Sequence, residues 1–233
     1  MPRAADAGAR SAIVRACRRL DAKGLVAGAE GNVSARTSST AALITPAGAA
    51  KGELRSADLV RVSLPGGAAR GSGRPSSELP MHVAIYATRR DVGAVVHAHP
   101  PAVTGFAVAR MSLPVGALAE LAGVIGPVPL VAYREPGSAA LGRAVAAALS
   151  RPGNARANVC LLANHGVVAV GESVSQALSR IESVEQAARI LATAHILGEV
   201  TELGPVAVNR LQRSRTRAAA TGSQRETRRG RRK

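Results

Sequence analysis

The stretch Asp91–Pro100, DVGAVVHAHP, constrains the fold of this chain more than any other. Val92, Ala94, Val95 and Val96 form an apolar run of strand length, closed by Pro100 and Pro101, and such a run predicts a buried strand. Residues two apart on a strand face the same side, so His97 and His99 stand side by side at its end. Two neutral imidazoles held this close can chelate one divalent metal. The same pair also suits two histidines bonded to nearby polar groups, and the rest of the chain has to decide between the two.

At 233 residues the chain has room for one large α/β domain or two small ones. Ile13, Val14, Cys17 and Leu20 predict a helix over 8–24 with Gly24 as its stop, and 29–34 reads as a turn of small residues. Strands are expected at 41–46, 60–64, 128–133, 159–163 and 167–170, with a flexible loop over 65–74. Shorter helices are expected at 101–109 and 138–150. The longest runs over 173–198 with a Ser173/Gln176 capping box, and His195 on its apolar stripe reads as a core or interface histidine. Beyond Asn209 the periodicity fades and the chain reads as disorder, which divides it into a folded part, 1–208, and a basic tail, 209–233.

The formal charge of +16 invites a nucleic-acid reading. Its distribution narrows that reading, because residues 210–233 hold 10 of the 31 Lys and Arg and only 1 of the 15 acids. The body is moderately basic, which suits anionic substrates through long-range steering, and any nucleic acid is expected to meet the tail. Hydrophobic residues make up 46% and aromatics 1%, so the core must be built from Ala, Val, Leu and Ile. Two lone cysteines, no apolar run of membrane length and no signal-like segment point to a reducing cytoplasm.

Three further stretches carry chemistry. Ala29–Ser34 and Ala47-Gly48 are small-residue turns whose backbone amides can form an anion nest. Pro75-Ser76-Ser77-Glu78 opens a helix in which Ser76 or Ser77 can serve as cap, and two hydroxyls with free amides suit a phosphate. Glu78 and His82 share a face of that helix, where His82 is expected as a packed or supporting histidine.

Together Gly31-Asn32-x-Ser34, Thr45-Pro46-Ala47-Gly48, Ser76-Ser77-Glu78, His97-x-His99 and Asn164-His165-Gly166 resemble the class II aldolase family, the zinc-dependent group that includes L-fuculose-phosphate aldolase. The resemblance spans roughly residues 8–200. It implies a three-layer α/β/α sandwich around a mixed, mainly antiparallel sheet, assembled as a homotetramer with sites at subunit interfaces. It implies Zn²⁺ on His97, His99 and His165, joined by Glu78 in the substrate-free state, with Glu78 as acid and base. Gly31, Asn32, Gly48, Ser76 and Ser77 are implied to hold a substrate phosphate. Ala47 replaces a hydroxyl residue of fuculose-phosphate aldolase, and no tyrosine lies within 114–126; Glu120 occupies that region and is a candidate proton donor to the leaving aldehyde.

Three imidazoles leave an open position on a zinc ion, and a Lewis acid beside a carbonyl suits aldol cleavage. The expected activity is therefore retro-aldol cleavage of a small phosphorylated ketose to dihydroxyacetone phosphate and an aldehyde. A same-fold decarboxylase, dehydratase or epimerase is the alternative. A binding module without chemistry, attached to polyanions by its tail, is the alternative of another class.

Overall fold

Val92–Val96 enters the middle of one sheet as strand β5 (Ala94–Ala98). The computed structural model describes residues 4–71, 73–150 and 156–214. Its remaining strands are β1 (Asn32–Ser38), β2 (Ala41–Ile44), β3 (Val60–Ser63), β4 (Ala69–Arg70), β6 (Leu130–Val131), β7 (Val159–Leu162) and β8 (Gly166–Gly171). They line up as β4-β3-β2-β1-β5-β8-β7-β6, antiparallel throughout except for the β6–β7 pair.

Helices cover both faces, so the central strands are apolar on both sides rather than alternating. Helices α1 (Ala4–Ala22), α3 (Pro101–Val108) and α5 (Val174–Leu197) pack on one face with Ala94, Val96 and Ala98. Helices α2 (Leu79–Thr88) and α4 (Ala139–Ser150) pack on the other with Val95, Val168 and Val170. This is the expected α/β/α sandwich. His97 has the parity of Val95 and rises on the α2 side, which brings it to the helix that begins beside Glu78.

Several expected elements change. The strand expected at 128–133 shrinks to two residues, because Pro127 and Pro129 bring no N–H to a ladder. The 65–74 loop contains β4, paired to β3. Neither serine caps α2: Ser76 Oγ accepts from the Glu78 amide at 3.3 Å, forming a local turn, and the helix starts at Leu79. Ser173 does cap α5, but the Gln176 side chain reaches back to the Glu172 amide rather than to Ser173. His195 is exposed on this chain, with its ring 6.3 Å from Phe106, so it is not a core residue.

The expected order–disorder boundary is also crossed. Residues 205–214 form a helix, α6, with Ala207, Val208 and Leu211 half-buried, and Leu211 packs beside Gly123. The segment opens on Pro205 and is only ten residues long, too short for its apolar stripe to show a period. The rest of the basic tail, 215–233, lies outside the described residues. Among the described residues, no helix is long and apolar enough to cross a membrane.

Candidate metal centre and substrate cradle

Strand pairing sets the site. Asn32 on β1 lies opposite His97 on β5, and Ser34 lies opposite Val95. Gly31, just before β1, has φ +70, and a Cβ there would sit 2.7 Å from the His97 carbonyl oxygen, so no larger residue fits. The third histidine arrives on the β7–β8 turn. Asn164 takes the left-handed conformation, φ +55, with its side-chain oxygen held by Arg110, and so turns His165 back toward β5. A Cβ on Gly166 would lie 2.7 Å from His99 Cδ2 and 2.5 Å from the Ala98 oxygen. Asn164 and Gly166 of the Asn-His-Gly motif thus each have a backbone reason to stand beside His165.

The three rings converge. Their centroids are 4.7–5.1 Å apart, and one nitrogen from each lies within 4.8 Å of the others. Glu78 joins them, with Oε2 2.9 Å from His97 Nε2 and Oε1 3.5 Å from His165 Nε2. Burial works to raise the Glu78 carboxyl, but His97, Asn32 and His165 outweigh it and hold the group well below the usual carboxylate range. Burial also lowers His99 and takes His165 down to about 4, so both rings are neutral at pH 7.

These residues fit a divalent cation. His97 Nδ1 is 3.0 Å from the Val167 carbonyl, which fixes a proton there and turns Nε2 inward. His97 Nε2 meets the Glu78 carboxylate and, at 3.0 Å, His99 Nε2. Glu78 Oε1 is buried without a hydrogen-bond partner. Ring nitrogens and a carboxylate facing one point call for a positive charge among them, which either a proton on His97 Nε2 or a bound cation supplies. Glu30, which the sequence reading passed over, lies 3.4 Å from His99 Nδ1 and turns the other nitrogen of that ring to the centre. An acid in a glycine turn just ahead of the strand was the available signal.

Beside the histidines opens a cavity of about 220 Å³, whose walls include Gly31, Asn32, Gly48, Ser76, Ser77 and Glu78. The amides of Gly31, Gly48 and Ser77 donate to no protein acceptor among the described residues. The start of α2 offers less than expected, because the Leu79 and Met81 amides are taken by Ser76 and Glu78 carbonyls. The Asn32 side chain is bonded at both ends, to Glu78 and His82, which leaves its second amide hydrogen for a ligand. Glu120 is exposed and absent from the walls; it belongs to the segment leading into a π-helical turn, Leu121–Ile125, that packs on α5. A larger cavity of about 760 Å³, bounded by Arg89, Arg156 and Glu172, holds none of the motif residues.

The chain as a whole is similar to known proteins. The family described as Class II Aldolase and Adducin N-terminal domain matches residues 11–192. A 5-methylthioribulose-1-phosphate/5-deoxyribulose-1-phosphate aldolase of Rhodospirillum rubrum is 35% identical over 181 residues, 77% of this chain and 78% of that one. A 3-oxo-tetronate 4-phosphate decarboxylase of Pectobacterium atrosepticum is 31% identical over 195 residues, 82% of this chain and 85% of that one. Among solved structures, an L-fuculose 1-phosphate aldolase superposes with a TM-score of 0.82 at 28% identity, covering 91% of this chain and 97% of that one.

Proposed function

The chain belongs to the class II aldolase family, and from that premise we propose that it is a zinc-dependent lyase that cleaves a small 1-phosphorylated ketose to dihydroxyacetone phosphate and an aldehyde. One observation carries the reading: the His97, His99 and His165 rings and the Glu78 carboxylate meet at the edge of a small cavity walled by unpaired backbone amides. The cation held by the three imidazoles supplies Lewis-acid stabilisation of negative charge on substrate oxygens. The chain's own groups do the rest. Gly31, Gly48 and Ser77 amides, with the Ser76 and Ser77 hydroxyls, bind the phosphate and so fix which carbon faces Glu78. Glu78 accepts and returns the proton.

The decarboxylase reading has one feature in its favour. Glu120 stands outside the cavity of this chain, so the group expected to serve the aldehyde oxygen is not there, and loss of carbon dioxide involves no aldehyde oxygen. Product analysis with fuculose 1-phosphate, 5-deoxyribulose 1-phosphate and a phosphorylated 3-keto acid separates the two. The aldolase releases dihydroxyacetone phosphate, and the decarboxylase releases carbon dioxide. His97→Ala is expected to lose both stoichiometric metal and turnover, whereas Glu78→Gln keeps the metal and loses turnover. Full activity in Glu78→Gln defeats the assignment of the proton carrier. The reading includes a homotetramer in the cytoplasm. Ile196 and Leu197, 85% and 82% exposed on the single chain, are apolar surface that such an assembly would cover, and sedimentation gives its mass.

A further inference from the structure

Behind Glu78 runs a line of buried polar side chains that the reaction as described does not use. Asn32, Ser34, His82 and Tyr86 are all buried. Asn32 and Ser34 are two apart on β1 and face α2; Glu78, His82 and Tyr86 are four apart along α2 and face β1. The contacts run Tyr86 Oη–Ser34 Oγ 2.8 Å, Ser34 Oγ–His82 Nδ1 2.6 Å, His82 Nε2–Asn32 Oδ1 2.5 Å and Asn32 Nδ2–Glu78 Oε2 2.8 Å.

Elementary donor and acceptor rules fix every hydrogen in this line. An ionised Glu78 only accepts, so the Asn32 end that faces it is the NH₂. Asn32 Oδ1 then faces His82, and a carbonyl oxygen only accepts, so the His82 proton is on Nε2. Burial keeps the His82 ring neutral down to about pH 3. Its bare Nδ1 therefore accepts from the Ser34 hydroxyl. With that hydrogen committed, Ser34 Oγ accepts from Tyr86. All the donors point toward Glu78, and reversing any one of them sets two buried donors or two buried acceptors face to face.

We infer that His82 is a positioning residue for the reaction: through Asn32 it holds Glu78 Oε2 as a fixed hydrogen-bond acceptor, so that Oε1, which no donor touches, is the oxygen that carries the reacting proton. This rests on the reading of Glu78 as the proton carrier. Without the Nε2 proton of His82, the Asn32 amide is free to turn its oxygen toward the carboxylate and push it away.

The test uses the metal-loaded full chain and the 1-phosphorylated ketoses named above. His82→Met removes the donor but keeps an apolar side chain of similar reach. It is expected to lower kcat about ten- to a hundredfold, the range for outer partners of a metal site, with metal stoichiometry and KM unchanged. His82→Gln restores an N–H toward Asn32 Oδ1 and is expected to keep most of the turnover; a mere packing role would favour Met over Gln. Ser34→Ala, which frees His82 Nδ1 to take the proton instead, is expected to lower kcat in the same way and serves if His82→Met does not fold. Independently of activity, ¹⁵N-imidazole NMR is expected to show His82 as the neutral Nε2–H tautomer at pH 7. An Nδ1–H tautomer, or equal turnover in His82→Met and the parent, overturns the inference. If Glu78→Gln is inactive while His82→Met is not, the inference alone fails; if Glu78→Gln is fully active, the reading beneath it fails as well.

Discussion

Gly166 is the smallest residue with a direct hold on the metal centre. Its Cα lies so close to β5 that an added methyl would stand 2.5 Å from the Ala98 oxygen and 2.7 Å from the His99 ring. Neither neighbour can yield easily, since one is backbone and the other is a ring already turned by Glu30. Gly166→Ala is therefore expected to displace His99, to weaken retention of an added divalent metal during dialysis by at least tenfold, and to leave the sandwich folded by circular dichroism. The histidines themselves were legible in the sequence. His97 and His99 obey the two-residue period of a strand, and Asn164-His165-Gly166 marks a turn at the end of another. What a linear reading could not see is that the Asn32 amide, expected among the phosphate donors, has both ends bonded to protein. Its partners come from a helix 46 and 50 residues away, and only strand register and helix placement together make them neighbours.

Among the elements, α3 begins at Pro101, two residues after His99, and its entry is held by α5. Glu185, buried on α5, accepts hydrogen bonds from the Ala102 amide at 3.2 Å and the Val103 amide at 2.9 Å, and it also binds Arg189 at 2.8 Å. A carboxylate on the first amides of a helix satisfies orphan donors and complements the helix dipole. Pro100 and Pro101 cannot offer those donors, so Ala102 and Val103 carry the load. Glu185→Ala would leave two amides without a partner, one of them buried, at a cost of about 2–4 kcal/mol. The expected outcome is a lower urea midpoint with unchanged slope, and looser binding of a divalent metal, because the chain leaving His99 loses its anchor. An unchanged midpoint would show that water caps α3 equally well. The apolar stripe of α5 announced this helix from the sequence, but nothing in the sequence singled out Glu185. Its value depends on a helix end that follows 82 residues earlier in the chain.

At the scale of the whole molecule most of the sheet was legible because its strands are short, apolar and punctuated by Gly and Pro; β1 was not, because its sequence NVSARTS is polar and its start read as part of the 29–34 turn. Nor was helix α6, since three half-buried apolar residues in so short a segment give almost no periodic signal. Global stability should carry a mark of the buried line behind Glu78. The His82 ring has an ordinary value of 6.5 in the unfolded chain and is pushed by burial to about 3 in the folded one. Between those two values the unfolded chain binds a proton at this ring and the native chain does not. Stability therefore rises with pH through that window, and falls as pH drops below 6.5. Integrated from pH 7.5 to pH 5, this one ring accounts for about 2 kcal/mol of acid-induced loss. His82→Gln has no such proton to take up, while every other titrating group, including the three clustered histidines, is common to both proteins. Urea denaturation of the two at pH 7.5 and pH 5 is therefore expected to give a smaller acid loss in the variant by about that amount. Equal losses would mean that the ring is as easily protonated in the folded protein as in the unfolded one, which its place between Asn32 and Ser34 does not allow.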